Sequence, residues 1–186
     1  MRNRIIPALG LAALALLSSP RGASTRGAIH PPAPAPQASA KTCDAGAYVI
    51  DKDPKGLNVR ETPGVGGRVL AVIPLDADGT IVHMVSSDSK GWVRIDRAET
   101  VGGEVVFDKK GWVSGNMLGT ETRGYGTRGV KLYGDARGAK VLGTIPPESE
   151  VRIFGCAAER VQVKYKNLTG WLDAESQCPN PVTLCN

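Results

Sequence analysis

Histidine is scarce in this chain of 186 residues, in which only His30 and His83 occur. The four cysteines do not include a C-x-x-C pair, and the closest two, Cys178 and Cys185, are seven positions apart. Zinc sites are built from cysteine and histidine ligands at short spacing. This scarcity argues against a zinc site, and we predict neither a metal ion nor an organic cofactor.

The chain also lacks an apolar run of the length that crosses a membrane. Its longest such run, residues 5–17, has thirteen residues and contains Pro7, whereas a membrane-spanning helix needs about 20. Two arginines precede the run and small residues follow it, which is the order of a secretory signal peptide. We therefore predict a signal peptide over residues 1–24.

Cleavage of this signal is expected near Ala23 or Ser24. Arg21 occupies a position where a small residue is preferred, so an uncleaved N-terminal anchor is the alternative. The first cysteine after the apolar run is Cys43, too distant for a lipid-attachment site. We expect a periplasmic or secreted product that has no stable membrane insertion once the signal is removed.

A continuous basic stripe is missing as well. The net charge is +5, but Arg2, Arg4 and Arg21 fall within the predicted signal, and subtracting these three charges leaves +2. Nucleic-acid binding leaves a stronger electrostatic footprint than this. We predict no nucleic-acid partner, while an anionic cell-wall polymer stays open.

Proline and alanine dominate the segment that follows the signal. Residues 31–36 read PPAPAP and contain no core-forming side chain, which is typical of a semi-extended linker. We assign residues 25–42 to a disordered Pro/Ala-rich tether.

Short runs rich in valine, isoleucine and leucine make up the remainder, from Cys43 onward. Residues 47–50 read AYVI and residues 80–85 read TIVHMV, with glycine, proline, aspartate and asparagine between such runs. Short apolar runs separated by turn residues predict β-strands. The predicted fold class is all-β.

These runs form an internal repeat. In the first copy, residues 56–60 (GLNVR) lead to 68–74 (RVLAVIP), then to GWV at 91–93 and again at 111–113. In the second copy, the matching segments are GVKLY at 129–133, KVLGTIP at 140–146, RVQVKY at 160–165 and GWL at 170–172. The first copy carries an insertion near residues 98–105, where Gly102 and Gly103 predict a long hairpin loop.

The repeat resembles the bacterial SH3 (SH3b) family. Residues 56–63, GLNVRETP, are similar to the opening LNVR-x-x-P motif of that family, and the two GWV segments resemble its GWV positions. The resemblance covers most of residues 47–178 and implies two tandem SH3-like small β-barrels. It implies a first domain over 43–118, a linker over 119–128 and a second, degenerate domain over 129–186 with a disulfide-stapled tail.

Two disulfides are predicted from Cys43, Cys156, Cys178 and Cys185, because an even set of cysteines in an exported chain is typically oxidised. Four cysteines allow three connectivities. We prefer Cys156 with Cys178 and Cys43 with Cys185, a pairing that would tie the chain ends together.

The resemblance also places a ligand groove in the first copy, with Trp92 beside the first long loop. Tyr48, Asn58, Arg60 and Asn116 are expected at its rim. For Trp92 the alternative is core packing. Arg60 could instead form an ion pair with an acid such as Glu61 or Asp96, and Asn58 could bond to the backbone at a strand end.

Other polar residues have simpler interpretations. His83 lies in an alternating strand and is expected to be packed or half-exposed. Asp76 and Asp78 precede a glycine, where aspartates bond to their own backbone in turns. Asp51 and Asp53 begin like a calcium loop, but the later bidentate acid is missing.

We predict that the protein is not an enzyme, because the signal, the tether and the two repeats leave no room for a catalytic domain. The resemblance implies a binding module that attaches to cell-wall peptidoglycan, through its peptide part. The alternative is a module that binds or inhibits an envelope protein, for which the 98–105 insertion and Tyr125 would supply contacts. An enzyme is a distant third hypothesis.

Overall fold

The computed structural model describes residues 41–183 and residue 185, all of which lie in one compact unit. The predicted signal and most of the predicted tether lie outside these residues. In the part described, no helix is long and apolar enough to span a membrane. The elements are β-strands joined by turns, with two short 3₁₀ turns, so the all-β prediction is confirmed.

Seven strands lie between residues 41 and 114, and we call this segment the first half. They are β1 (Lys41–Val49), β2 (Leu57–Arg60), β3 (Val69–Ile73), β4 (Thr80–Ser87), β5 (Trp92–Thr100), β6 (Val105–Phe107) and β7 (Gly111–Ser114). A 3₁₀ turn, Gly115–Met117, follows β7.

Seven further strands lie between residues 118 and 178, and we call this segment the second half. They are β8 (Leu118–Thr122), β9 (Val130–Tyr133), β10 (Val141–Ile145), β11 (Glu150–Ala157), β12 (Arg160–Tyr165), β13 (Leu168–Leu172) and β14 (Gln177–Cys178). A second 3₁₀ turn, Ala174–Ser176, separates β13 from β14.

The strand order is the same in both halves when read outward from the centre. The sheet pairs β8 with β1 in the middle; one side continues β11-β12-β13-β9-β10 and the other continues β4-β5-β7-β2-β3. The pairings between named strands are antiparallel. Both β2 and β9 bury their first and third residues. Strand order and these burial patterns therefore correspond between the two halves.

One hydrophobic cluster runs through both halves and forms the core. Because side chains alternate across a strand, each half contributes its inward residues: Val59, Val93 and Val113 on one side, Val161 and Val163 on the other, all without exposed surface. Modules of about 60 residues have little core of their own. The shared cluster supplies burial that neither half provides alone.

Glycine precedes Trp112 and Trp171 because a neighbouring strand lies against each of these two glycines. A Cβ atom added at Gly111 would lie 2.3 Å from Cγ1 of Val59, and one at Gly170 would lie 2.6 Å from the carbonyl oxygen of Tyr133. Such distances are far shorter than van der Waals contact. Close approach of β2 to β7, and of β9 to β13, therefore requires glycine at these positions.

The predicted insertion in the first half is a β-hairpin. Strand β5 continues to Thr100 and pairs with β6, with Ala98 opposite Phe107. The backbone N–H of Thr100 donates to the carbonyl of Glu104 at 2.8 Å and closes the turn that contains Gly102 and Gly103. The hairpin is thus an extension of the sheet.

Two segments expected to be unpaired lie in strands. Lys41 and Thr42, assigned to the tether, pair with Ser87 and Ser86 of β4. Residues 119–122, assigned to the linker, belong to β8, which pairs with β1, β11 and β14. These segments join the sheet because their partners offer ladder hydrogen bonds on both sides.

Two disulfides are present, as predicted, but the preferred pairing was wrong. Cys43 bonds to Cys156, and Cys178 bonds to Cys185. The reason is a short parallel contact between β1 and the end of β11, where Asp44 N–H donates to the carbonyl of Ala158 at 2.8 Å and Ala158 N–H donates to that of Thr42 at 2.9 Å. This contact brings the Cα atoms of Cys43 and Cys156 within 5.6 Å.

Candidate ligand-binding site

A row of outward-facing side chains crosses three strands of the first half. Arg60 of β2 lies opposite Trp112 of β7, and Trp112 lies opposite Arg94 of β5. Their chain neighbours Val59, Val113 and Val93 are fully buried, so alternation turns the row toward solvent. Two arginines therefore flank an indole on the outer face of the sheet.

Trp92 belongs to the same outer face. It lies two residues before Arg94, opposite Ser114, and is half-buried. Its backbone is held by the preceding turn, because Trp92 N–H donates to Asp88 Oδ1 at 2.8 Å and Asp88 N–H donates to the Trp92 carbonyl at 2.9 Å. The backbone at Trp92 is thus held by this turn.

Arg60 bonds to the backbone and forms neither of the ion pairs considered above. Its Nη1 donates to the carbonyl of Gly67 at 2.7 Å. Glu61 pairs instead with Arg68 at 2.9 Å, and Arg68 lowers the pKa of that carboxyl group. Asp96 pairs with His83. The Gly67 carbonyl therefore fixes Arg60 beside Trp112.

Asn58 lies two residues before Arg60 and shares its outward direction. It is exposed and lies opposite Val72 of the edge strand β3. Asn58, Arg60 and Trp92 are thus brought to one face of the first half, with Trp112 and Arg94 as neighbours that sequence reasoning did not select as ligand contacts. In a strand, side chains point alternately to the two faces of the sheet. Applied to the two GWV segments, this rule would have placed Trp112 and Arg94 on the outer face.

Tyr48 is placed differently from the expected rim. It lies between Ile81 of β4 and Gly119 of β8 and is 3% exposed, because strands pair with it on both sides. Among the described residues its hydroxyl group has no hydrogen-bond partner. Burial, and then the charges of Glu150 and Glu121, raise its pKa well above the usual range. These features suit a packed residue.

Asn116 also differs from the expectation, because it faces the second half. It lies in the first 3₁₀ turn and accepts a long hydrogen bond of 3.5 Å from Nη1 of Arg152. It lines an open groove of about 470 Å³ together with second-half residues that include Phe154, Lys164 and Tyr165. Asn116 therefore belongs to a separate surface from Asn58 and Arg60.

His83 connects three strands, a role that the sequence did not reveal. Its Nδ1 lies 2.7 Å from Asp96 Oδ1 and its Nε2 lies 2.8 Å from Asp44 Oδ1, and its side chain is 41% exposed. The hydrogen bond to Asp44 raises its pKa most; burial opposes this and Asp96 supports it. The register of β1 and of β5 shifts beside these aspartates, and such bulges re-aim side chains in a way that a period-2 pattern does not predict.

The remaining acidic motifs are turns. Asp51 and Asp53 accept hydrogen bonds from backbone N–H groups two residues further on, and so does Asp76. Within residues 41–183 and residue 185, no group of three or more histidine, cysteine, aspartate or glutamate side chains is arranged to hold a metal ion.

The aromatic rings of the two halves differ in whether a cationic side chain lies over them. Each cation–π contact within the described residues involves a second-half ring: Lys41 lies 5.0 Å from the centroid of Trp171, Arg160 lies 5.2 Å from that of Tyr133, and Lys166 lies 5.1 Å from that of Tyr165. Trp92 and Trp112 of the first half are both half-buried. Their faces are not taken by cations of the described chain.

Comparison with known proteins gives little further information. No family model and no curated protein matches this chain. Two solved structures, NlpC2 and NlpC1 from Trichomonas vaginalis, align with 72% and 75% of the chain at 13% identity and a TM-score of 0.30 each. A Listeria monocytogenes protein assigned as an autolysin aligns with 74% at 13% identity and a TM-score of 0.27. The chain spans 47% of each Trichomonas chain and 63% of the Listeria chain. At these TM-scores the similarity supports no functional assignment.

Proposed function

We propose that this chain is an exported, non-catalytic binding module of two SH3b-like halves, which attaches to the peptide part of peptidoglycan through the outer face of the first half. The binding residues are Trp92, Trp112, Arg60 and Arg94, with Asn58 at the margin. Two disulfides support export, because such bonds persist in oxidising compartments. The periplasm or the exterior of the cell is the proposed location.

The two-module part of the proposal rests on the matched strand order. Each half has, in the same sequence order, an opening strand, a pair of antiparallel strands, a meander of three strands and a 3₁₀ turn. Corresponding strands also share their burial patterns, as in β3 and β10. This correspondence supports a duplicated SH3-like unit with the two units joined through β1 and β8.

The observation that carries the binding proposal is that, at two corresponding positions, one half has an arginine where the other has an aromatic residue. By register, Arg60 of the first half corresponds to Tyr133 of the second, and Trp92 corresponds to Arg160. In the second half the arginine lies over the aromatic ring. In the first half Arg60 is drawn to the Gly67 carbonyl, which leaves the Trp92 ring open to a ligand.

The chemistry of this face suits a peptide with carboxylate groups. Arg60 and Arg94 can donate charge-assisted hydrogen bonds to carboxylates, while indole rings bind aliphatic side chains and sugar faces through apolar contact. Stem peptides of peptidoglycan combine short aliphatic side chains with free carboxylates. The first half therefore offers complementary groups for both features.

Co-sedimentation with insoluble peptidoglycan tests the proposal. Residues 25–186 are incubated with purified sacculi at two salt concentrations, beside Trp92→Ala and, as a matched control, Tyr125→Ala, which removes a ring that is 67% exposed outside the proposed face. We expect saturable binding by wild type and by Tyr125→Ala, and its loss in folded Trp92→Ala. No binding by folded wild-type protein would refute the proposal.

A protein partner in the envelope is the second candidate. Tyr125 is 67% exposed in the turn between β8 and β9, and Val105 at the tip of the β5–β6 hairpin is 43% exposed. Exposed aromatic and apolar residues on protruding turns are typical of protein contacts. Tyr125→Ala combined with Val105→Ser would then weaken capture of an envelope protein while peptidoglycan binding stays unchanged.

A further inference from the structure

The second half contains an open pocket at the position that corresponds to the Trp92 region of the first half. It has a volume of about 390 Å³, within the size range of small-ligand sites. Its lining consists of Ala136, Ala158, Glu159, Arg160, Asp173, Ala174 and Glu175. It is thus lined by one arginine and three acids around small side chains.

Arg160 lines this pocket and donates no side-chain hydrogen bond to another described residue. Its guanidinium group lies over the ring of Tyr133 at 5.2 Å from the centroid. On another side it meets Gly138, where an added Cβ would lie 3.1 Å from both Nη1 and Nη2. Stacking on a ring orients an arginine and leaves its planar fork available for an anion.

Nη1 of Arg160 is buried and has no hydrogen-bond partner among the described residues. A buried donor without an acceptor carries an unfavourable desolvation cost, and a charged one carries more. Nε and Nη2 are not among the buried unpartnered atoms, and a carboxylate bound bidentately through these two donors would give the guanidinium group a counter-charge. The pocket therefore contains an oriented arginine that forms no salt bridge within the described residues.

Hydrogen bonds also hold the backbone at Glu159 and Asp173, two residues that line the pocket. Nε2 of Gln177, a buried residue, donates to the carbonyls of Glu159 at 2.9 Å and Asp173 at 2.8 Å. Asp173 accepts the backbone N–H of Ser176 at 3.0 Å, so its carboxylate is partly used by the 3₁₀ turn. The exposed carboxylates of Glu159 and Glu175 are left as acceptors for a cation.

We propose that this pocket binds a small zwitterion, an amino acid or a dipeptide, with the ligand carboxylate on Arg160 and the ligand ammonium group at Glu159 and Glu175. A purely anionic ligand would be repelled by the two glutamates, and a purely cationic one would leave the guanidinium unpaired. Because the lining carries charges of both signs, the pocket selects a molecule that also carries both. This site is separate from the proposed peptidoglycan-binding face and does not depend on it.

The experiment titrates alanyl-alanine into ¹⁵N-labelled residues 25–186 and follows the amide signals of residues 135–138 and 174–177. N-acetyl-alanyl-alanine, which lacks the ammonium group, and alanyl-alanine amide, which lacks the carboxylate, serve as half-ligands. We expect saturable shifts with alanyl-alanine and at least about tenfold weaker binding of both half-ligands, since each loses a charge-assisted contact.

Variants separate this site from general charge effects. Arg160→Gln should weaken alanyl-alanine binding at least about tenfold, whereas Arg97→Gln, which removes an equal charge from the exposed Arg97–Glu99 ion pair, should not change it. If Arg160→Gln does not fold, Glu159→Gln combined with Glu175→Gln supplies the test, with affinity for alanyl-alanine lost and affinity for the acetylated dipeptide raised. The proposal is overturned if wild type shows no saturable shifts, or if Arg160→Gln and the double glutamine variant both bind alanyl-alanine as tightly as wild type does.

Discussion

Glu121 and Glu150 lie directly opposite one another across β8 and β11, so two carboxylates of like charge face each other in the sheet. Like charges at opposed positions of an antiparallel pair destabilise it. Burial, followed by the charges of Glu150 and Glu148, raises the pKa of Glu121. The centre of the sheet, where the two halves meet, thus carries an electrostatic cost at neutral pH.

Replacing one of these acids should stabilise the fold. We expect Glu121→Gln to raise the free energy of unfolding by about 0.5 kcal/mol at pH 7, measured by urea denaturation. A raised folded-state pKa means that the penalty is present above that pKa and absent below the unfolded value near 4.3. The gain should therefore disappear near pH 3. Glu104→Gln, at an exposed turn, is the control, and an equal gain there would contradict the explanation.

His83 should make the free energy of unfolding decrease as the pH rises above neutrality. Asp44, Asp96 and the opposed Arg97 surround it, and the two acids raise its pKa above 6.5. The protonated form is thus favoured in the folded state, so its stabilisation is complete below pH 6.5 and is lost as pH rises through the folded pKa. We expect the free energy of unfolding, measured by urea denaturation, to decrease more between pH 5.5 and pH 8.5 for wild type than for His83→Asn. The same decrease in both proteins would rule out this role.

The two disulfides should contribute unequally to stability. Cys43 and Cys156 are 113 positions apart, whereas Cys178 and Cys185 are seven apart. In the chain-entropy model, closing the longer loop is worth about 5 kcal/mol and closing the shorter one about 2 kcal/mol. The double serine variant of the first pair should therefore have the lower unfolding midpoint in urea. A lower midpoint for the second pair would show that this model does not govern the chain.

Tryptophans of the two halves should respond differently to truncation. Trp171 is 6% exposed and covered by Lys41, and its replacement by alanine should cost about 3–5 kcal/mol. Trp92 is half-buried at the start of β5, and Trp92→Ala should cost about 1 kcal/mol. Thermal unfolding of both variants measures the difference. A cost for Trp92→Ala as large as that for Trp171→Ala would make Trp92 a packing residue.

The strands were predictable because they depend on local patterns. Alternating apolar residues at 80–85 and the paired glycine and tryptophan of the GW segments encode strands and close packing within a short window. The hairpin after β5 was visible from Gly102 and Gly103 for the same reason. Such features need no knowledge of what lies across the sheet.

The features that were mispredicted depend on contacts distant in sequence. The Cys43–Cys156 pairing follows from the contact of Thr42 and Asp44 with Ala158, which no spacing reveals. Tyr48 is buried because β8 pairs beside it, and β8 begins in a segment expected to be a linker. His83 meets both of its aspartates because the strands on either side carry register shifts. Tertiary pairing decided each case.

The most direct test of the proposed binding face uses the three tryptophans as reporters, since the chain has only these three indole N–H groups. A soluble peptidoglycan stem peptide is titrated into ¹⁵N-labelled residues 25–186, with the indole signals assigned by single phenylalanine variants. The account predicts saturable shifts of the Trp92 and Trp112 signals and an unchanged Trp171 signal. A peptide that shifts only Trp171, or shifts none of the three, would contradict it.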